Sequence, residues 1–250
     1  MAGRRMRRKR RNNRGRFAVL YRLLTFVVIC GAIVGALALF FKVEHIEVEG
    51  NTRYTQEEVV AASGLKTGDN LFLLNKYEVA GRIRDALNYV ETVQITRSLP
   101  STLHIVITES RFTVAVEQEG VLWLVSGAGK IVDTVTPGTE KYAMVTGLDL
   151  KDPQIGRSIE SENSTACDAL LDLLGLLRSK GMLGDVQAIH LEDASFITMR
   201  YLDRFNVQLP WTADLDYKLN YLLAVVERLE ANEKGTINMM QDYKVNFIPD

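Results

Sequence analysis

This 250-residue sequence predicts an α+β protein hung on one membrane-spanning helix. Three observations carry that expectation. An uninterrupted apolar run, Leu23 to Phe41, follows a tail whose every charge is positive. Beyond it, apolar residues recur at helical spacing in some segments and alternate with polar ones in others. The alternating segments are short and joined by Gly- and Pro-containing turns, which predicts an antiparallel sheet with helices packed on one face.

The anchor comes first. The run LLTFVVICGAIVGALALFF holds no charge. At ~1.5 Å per residue it spans about the 30 Å hydrocarbon core of a bilayer. Ten bases, from Arg4 to Arg22, precede or open it, and no acid occurs before Glu44. Lys and Arg stay on the cytoplasmic side, so residues 42–250 are expected outside. Ala36-Leu37-Ala38 matches the small-residue pattern of a signal-peptide cleavage site. The run nevertheless continues through Leu39, Phe40 and Phe41 and exceeds the usual apolar length of such peptides, so an uncleaved anchor is expected.

Overall charge hides a split. The chain has 30 Lys and Arg against 31 Asp and Glu, but the external part keeps only 20 of the bases, a net of about −11. Such a surface is unsuited to nucleic acid, which needs a basic face. The tail at residues 1–22 is instead expected to meet anionic lipid. Cys30 lies in the membrane run and Cys167 is alone outside, so no disulfide joins the external part. Its stability must come from its own core.

The external chain opens on a strand with Val43, Ile46 and Val48, closed by Gly50-Asn51. Thr55 and Glu58 form a capping box for a short helix that Gly64 stops. Asn75 caps a second helix whose Val79, Ile83 and Leu87 share one face. Strands follow at Val90 to Thr96 and at Leu103 to Glu109, joined by a turn at Ser98-Leu99-Pro100-Ser101. The order is β-α-α-β-β.

The remainder begins with strand segments at Val114 to Val116, Val121 to Val125 and Lys130 to Val135. A helix is expected over Ser164 to Ser179, with Leu170, Leu173, Leu174 and Leu177 on one side. Strands are expected at Val186 to Leu191, Phe196 to Tyr201 and Arg204 to Leu209. A long helix over Asp214 to Ala231 carries the stripe Leu215, Leu219, Leu222, Val226 and Leu229, and Gly235 ends it. Two strands close the chain, Thr236 to Met240 and Lys244 to Ile248, around a turn at Gln241-Asp242-Tyr243.

No catalytic set emerges. His45, His104 and His190 are far apart and fit no zinc-binding spacing. Cys167 reads as a buried core residue, without a base to activate it. Gly127-Ala128-Gly129-Lys130 lacks the first glycine and the hydroxyl of a phosphate loop and reads as a hairpin turn. Asn163-Ser164-Thr165 is both a sequon and a helix start. The chain is therefore expected not to be an enzyme and to need no metal or cofactor.

Three segments, in order behind a single anchor, carry a family resemblance. Ile46-Glu47-Val48-Glu49-Gly50-Asn51 fits I-x-V-x-G-N. Gly64 to Phe72 fits G-x-x-x-G-x-x-L-F. Arg97 to Glu109 fits R-x-x-P-x-x-L-x-I-x-V-x-E, with Ile107 at the V position. The layout resembles the FtsQ/DivIB family of bacterial cell-division proteins. The resemblance implies a basic cytoplasmic tail (1–22), a transmembrane helix (23–41), a POTRA domain (42–110) and a β domain of α+β type (111–250). It implies a non-enzymatic divisome scaffold in the bacterial cell membrane, at the division septum. Its partners would be small membrane-anchored coiled-coil proteins of the FtsL and DivIC/FtsB types, in a complex that regulates septal peptidoglycan synthesis.

The strand ending the chain offers an edge for strand addition. Met240, Gln241, Lys244, Val245, Asn246, Phe247 and Ile248 are the expected partner-binding residues, and Pro at Asn246 is expected to remove a ladder donor. Two other readings stand beside this one. An envelope transport or assembly factor would carry several POTRA units and barrel strands. A membrane-anchored cell-wall enzyme would need a catalytic set.

Overall fold

The computed structural model describes residues 14–138, 142–193, 195–211, 214–241 and 244–250. Most of the basic tail, and Asp242 and Tyr243 of the expected turn, lie outside the described residues. Helix α1 runs Arg14–Phe40. Its window Leu20–Leu37 is long and apolar enough to cross a membrane, and none of it is buried against the rest of the protein. An apolar surface of that extent calls for lipid rather than water.

The first unit comprises β1 (His45–Glu49), α2 (Gln56–Ser63), α3 (Lys76–Ala86), β2 (Val90–Ser98) and β3 (Thr102–Glu109). The sheet order is β1-β3-β2, with β1 parallel and β2 antiparallel to β3. The capping box forms as expected. Glu58 N–H donates to the Thr55 hydroxyl oxygen at 3.2 Å, and Thr55 N–H donates to the Glu58 carboxylate at 2.8 Å. Gly64, at φ +67°, ends α2 in the left-handed conformation that glycine accepts without strain. Asn75 caps α3 by accepting from Tyr77 N–H. Val59, Val79 and Ile83 pack with Leu103, Ile105 and Ile107 in one buried cluster.

Two motif residues gain a physical reason here. Gly50 sits at φ +81°, and a Cβ there would lie 2.1 Å from the Ile107 carbonyl oxygen, so only glycine fits. Glu109 ends β3 and reaches back across the sheet to the turn after β1. It accepts from the Thr52 hydroxyl at 2.5 Å and from the N–H groups of Thr52, Arg53 and Tyr54 at 3.1, 2.8 and 3.2 Å.

Among the described residues the second unit is built on a nine-stranded sheet. Its strands are β4 (Thr113–Gln118), β5 (Val121–Ser126), β6 (Ile131–Val135), β7 (Ala143–Thr146), β8 (Val186–His190), β9 (Phe196–Tyr201), β10 (Phe205–Pro210), β11 (Gly235–Asn238) and β12 (Asn246–Pro249). Helices α4 (Ser164–Ser179) and α5 (Leu215–Val226) belong to one buried cluster with Val114, Val116, Ile189, Met199 and Val207. The strand order is β12-β11-β10-β9-β8-β7-β4-β5-β6.

Three sequence expectations need correction. The sheet is mixed rather than antiparallel: β7 runs parallel to both β4 and β8, and β11 runs parallel to β10 across the α5 crossover. Strand β7 has no counterpart in the sequence reading. Its four residues Ala-Met-Val-Thr carry no clean alternation, and its partners are distant in sequence. Helix α5 stops at Val226 rather than Ala231, and Gly235 opens β11 rather than ending the helix. The Arg204 guanidinium draws the intervening segment into turns by donating to the carbonyls of Glu230 and Glu233 at 2.5 and 2.9 Å. Lesser shifts also occur: the final strand spans Asn246–Pro249 rather than Lys244 to Ile248, and Asn163 itself caps α4 by accepting from Ala166 N–H.

The two units touch through the face of β4-β5-β6 opposite the helices. Ala115, Leu122, Leu124 and Val132 pack there with Tyr89 and Tyr54 of the first unit. The Tyr89 hydroxyl donates to Asp133 at 3.1 Å. Burial, together with the Asp133 charge, pushes the phenol up to about 12, so it stays a donor at every physiological pH. Arg178 and Glu91 pair across the same junction at 2.8 Å.

Candidate functional site

A sheet edge is a binding site only if its outward backbone groups lack partners. The nine-stranded sheet has two edges, β6 and β12. The β6 edge is partly occupied. Ile131 N–H donates to the Arg157 carbonyl, Gly156 N–H donates to the Ile131 carbonyl, and Lys130 bridges to Ser158. Strand β12 pairs with β11 on one side, and no strand among the described residues pairs with the other.

The register shows which groups face outward. Asp250 N–H donates to the Lys234 carbonyl at 3.1 Å. Antiparallel pairs alternate between hydrogen-bonded and non-bonded. With Ile248 opposite Thr236 and Asn246 opposite Asn238, those two residues therefore bond inward to β11. The N–H of Phe247 faces away from the sheet, as do the carbonyls of Phe247 and Pro249. This corrects the expected role of Asn246: proline there would disturb the β11 pairing rather than the free edge.

Side chains divide the other way. Phe247 and Val245 pack against the helix-covered cluster, and the Phe247 ring meets Phe205 edge-on at 6.1 Å. Ile248 is exposed on the opposite face. Met240, expected to end the penultimate strand, lies beyond it and, with Gln241 of the expected turn, falls in the β11–β12 connection.

Lys218 was not foreseen as part of this edge. It lies within the apolar stripe of α5 and is buried. Its ammonium donates to the carbonyls of Met239 and Gln241 at 2.8 and 2.6 Å, tying the connection into β12 onto the helix. The available signal was a lysine adjoining Leu219 on a face otherwise apolar, a position that demands a partner. Tyr217 and Tyr221 lie on the same helix with ring centroids 6.1 Å apart. Together with Lys218, Met239, Lys244 and Val245 they line a shallow depression beside the edge.

The other candidate residues are not brought together. His104 pairs with Glu47 across β1 and β3 at 3.0 Å, and His190 Nδ1 meets the Thr146 hydroxyl at 2.8 Å. Cys167 is buried and its thiol donates to the Ile159 carbonyl. Burial, with Asp168 and Glu160 nearby, pushes the thiol up, away from the reactive thiolate. Among the described residues no group of three or more His, Cys, Asp or Glu side chains is placed to hold a metal.

Comparison with known proteins bears on most of the chain. Residues 41–110 match the family model for the POTRA domain, FtsQ-type. The chain is 25% identical over 205 residues to cell division protein DivIB of Clostridium botulinum strain Hall, covering 80% of this chain and 78% of that protein. It is 26% identical over 232 residues to cell division protein FtsQ of Anaeromyxobacter sp. strain K, covering 90% and 77%. Against FtsQ of Geotalea daltonii it is 29% identical over 163 residues, covering 64% and 58%. An FtsQ-type POTRA match directly behind an apolar helix, with such relatives aligned over 80% and 90% of the chain, gives a POTRA domain at 41–110 and a likeness over most of the chain to the FtsQ/DivIB bacterial cell-division proteins.

Proposed function

We propose that this protein is a non-enzymatic divisome scaffold that captures small membrane-anchored coiled-coil proteins of the FtsL and DivIC/FtsB types by strand addition at β12. The tail lies in the cytoplasm, residues 42–250 lie outside, and the protein works at the septum, where the complex regulates peptidoglycan synthesis. The domain limits are 42–110 and 111–250. One observation carries the binding reading: β12 ends a nine-stranded sheet with its outward backbone unmatched among the described residues, while the opposite edge is partly covered. An extended partner segment gains main-chain hydrogen bonds there, and side-chain contacts with Lys244 to Ile248, Met240 and Gln241 set specificity.

The test compares two variants of one residue. Phe247→Pro removes an outward donor, whereas Phe247→Leu keeps it and most of the apolar bulk. Co-purification of the coiled-coil partner from membranes should fall at least about tenfold in Phe247→Pro and stay near wild type in Phe247→Leu. Circular dichroism checks that both remain folded. Full recovery of partner by a folded Phe247→Pro protein would move the site to the edge of the first sheet. Reporter fusions at Asp250 test the topology, and cytoplasmic activity there would reverse it.

A further inference from the structure

The segment joining α2 to α3 is fastened to the end of the anchor. Asn70 Nδ2 donates to the Leu37 carbonyl at 3.0 Å, and Leu71 N–H donates to the Phe41 carbonyl at 2.9 Å. The rings of Phe41 and Phe72 meet edge-on at 5.1 Å. The β2–β3 turn is drawn to the same place. Glu44 N–H donates to the Ser101 carbonyl at 2.9 Å, and the Arg97 guanidinium donates to the Leu74 carbonyl at 2.7 Å.

This attachment sets a depth. Leu37 lies four residues before Phe41, the last apolar residue of the run, which is about 6 Å along a helix. If the run fills the hydrocarbon, a side chain bonded to the Leu37 carbonyl is already at the membrane boundary. The neighbouring side chains suit such a place and not water. Leu73 is 80% exposed, Tyr77 76% and Leu99 57%, and Phe72 is exposed as well. Leu39 and Phe40 at the helix end are also exposed. Lys76 lies with its ammonium 5.2 Å from the Tyr77 ring centroid, an aromatic with a cation beside it as interfacial sequences favour.

We propose that Phe72, Leu73, Tyr77 and Leu99 form a second membrane contact, seating the first domain on the leaflet from which α1 emerges. Their apolar side chains enter the headgroup boundary, and Lys76 meets lipid phosphate. The domain then has two attachments to the bilayer instead of one, which restrains its swing about the helix and holds the β12 edge in a defined direction. The proposal rests on α1 being a membrane anchor.

The experiment uses the full chain in vesicles of phosphatidylcholine and phosphatidylglycerol, with no partner present. Single-cysteine variants carry an environment-sensitive fluorophore at Leu73→Cys, at Leu99→Cys, or at Tyr221→Cys on α5 as a reference, with Cys30→Ser and Cys167→Ala in each. A further sample carries the probe at native Cys30. Lipids with a nitroxide near the headgroup should quench the Leu73 and Leu99 probes about threefold more than the Tyr221 probe, and iodide should quench them less. Iodide access at Leu73 equal to that at Tyr221 overturns the proposal. Protection from both quenchers also overturns it, since that pattern means contact with a second copy of the protein. Lipids with a nitroxide deep in the chain should quench the Cys30 probe. If they do not, the anchor fails and this contact with it; if only the Leu73 and Leu99 probes fail, the anchor stands alone.

Discussion

Glu109→Ala should destabilise the first domain by about 3 kcal/mol, because it strips a buried acceptor from three backbone N–H groups and a hydroxyl at once. The lost contacts hold the turn at 52–54, which sets the entry into α2 and brings Tyr54 to Tyr89 at the junction between the two units. The Tyr54 hydroxyl accepts from Tyr89 N–H at 3.2 Å, so the loss should spread to that junction. Urea unfolding of the full chain in detergent would show the change, and hydrogen exchange would locate it at residues 51–55 and β3. A melting curve indistinguishable from wild type would mean that water replaces the carboxylate without penalty.

The same clamp predicts a pH dependence of known sign. Burial pushes the Glu109 carboxyl up, but the Thr52 hydroxyl and the N–H groups of Arg53, Tyr54 and Thr52 outweigh it, and the net shift is downward. A carboxyl that ionises more readily when folded contributes its full stability above the unfolded carboxyl's range. That contribution is lost as pH falls through the folded value. The stability gap between wild type and Glu109→Gln should therefore be widest near neutrality and close as the solution is acidified. A gap that widens in acid would contradict the assignment.

Lys218→Met should loosen the β12 edge while leaving the rest of the second unit intact. The variant keeps the apolar stem, but leaves the Met239 and Gln241 carbonyls without the ammonium that now holds them. A loss of about 2 kcal/mol is expected, most of it local. Amide exchange in β11 and β12 should speed up by more than about tenfold, with α4 unchanged. Partner capture should weaken in parallel, although Lys218 need not touch the partner. Unchanged exchange over residues 235–249 would show that the connection is held by other contacts.

Much of the first domain was legible in the sequence because its signals are local. A capping box needs only Thr55 and Glu58, a stop needs only Gly64, and α3 needs its apolar residues at intervals of four. The POTRA motif residues were readable as a pattern, whereas their reasons were not. Gly50 is required because Ile107, 57 residues later, brings a carbonyl against it. Glu109 is required because its carboxylate closes a turn on the other side of the sheet.

In the second domain the helix α4 and strand β9 have the bounds their spacing predicts. Strand β7, the parallel pairings and the early end of α5 do not follow from spacing. Each is decided by a partner remote in sequence: β4 and β8 for β7, β10 for β11, and the Arg204 guanidinium for the residues after Val226.

Composition, periodicity and short motifs, each encoded within a few turns of chain, were enough to read an apolar helix long enough to cross a membrane, the β-α-α-β-β order, the likeness to FtsQ/DivIB proteins and a strand close to residues 246–249. The folded chain was needed to show which backbone groups of β12 face outward, that the β6 edge is partly occupied, that Lys218 secures the connection into β12, and that two loops of the first domain gather at the end of α1. Those depend on register and on packing between distant segments, and a one-residue change in register, invisible in composition, reverses which groups are free.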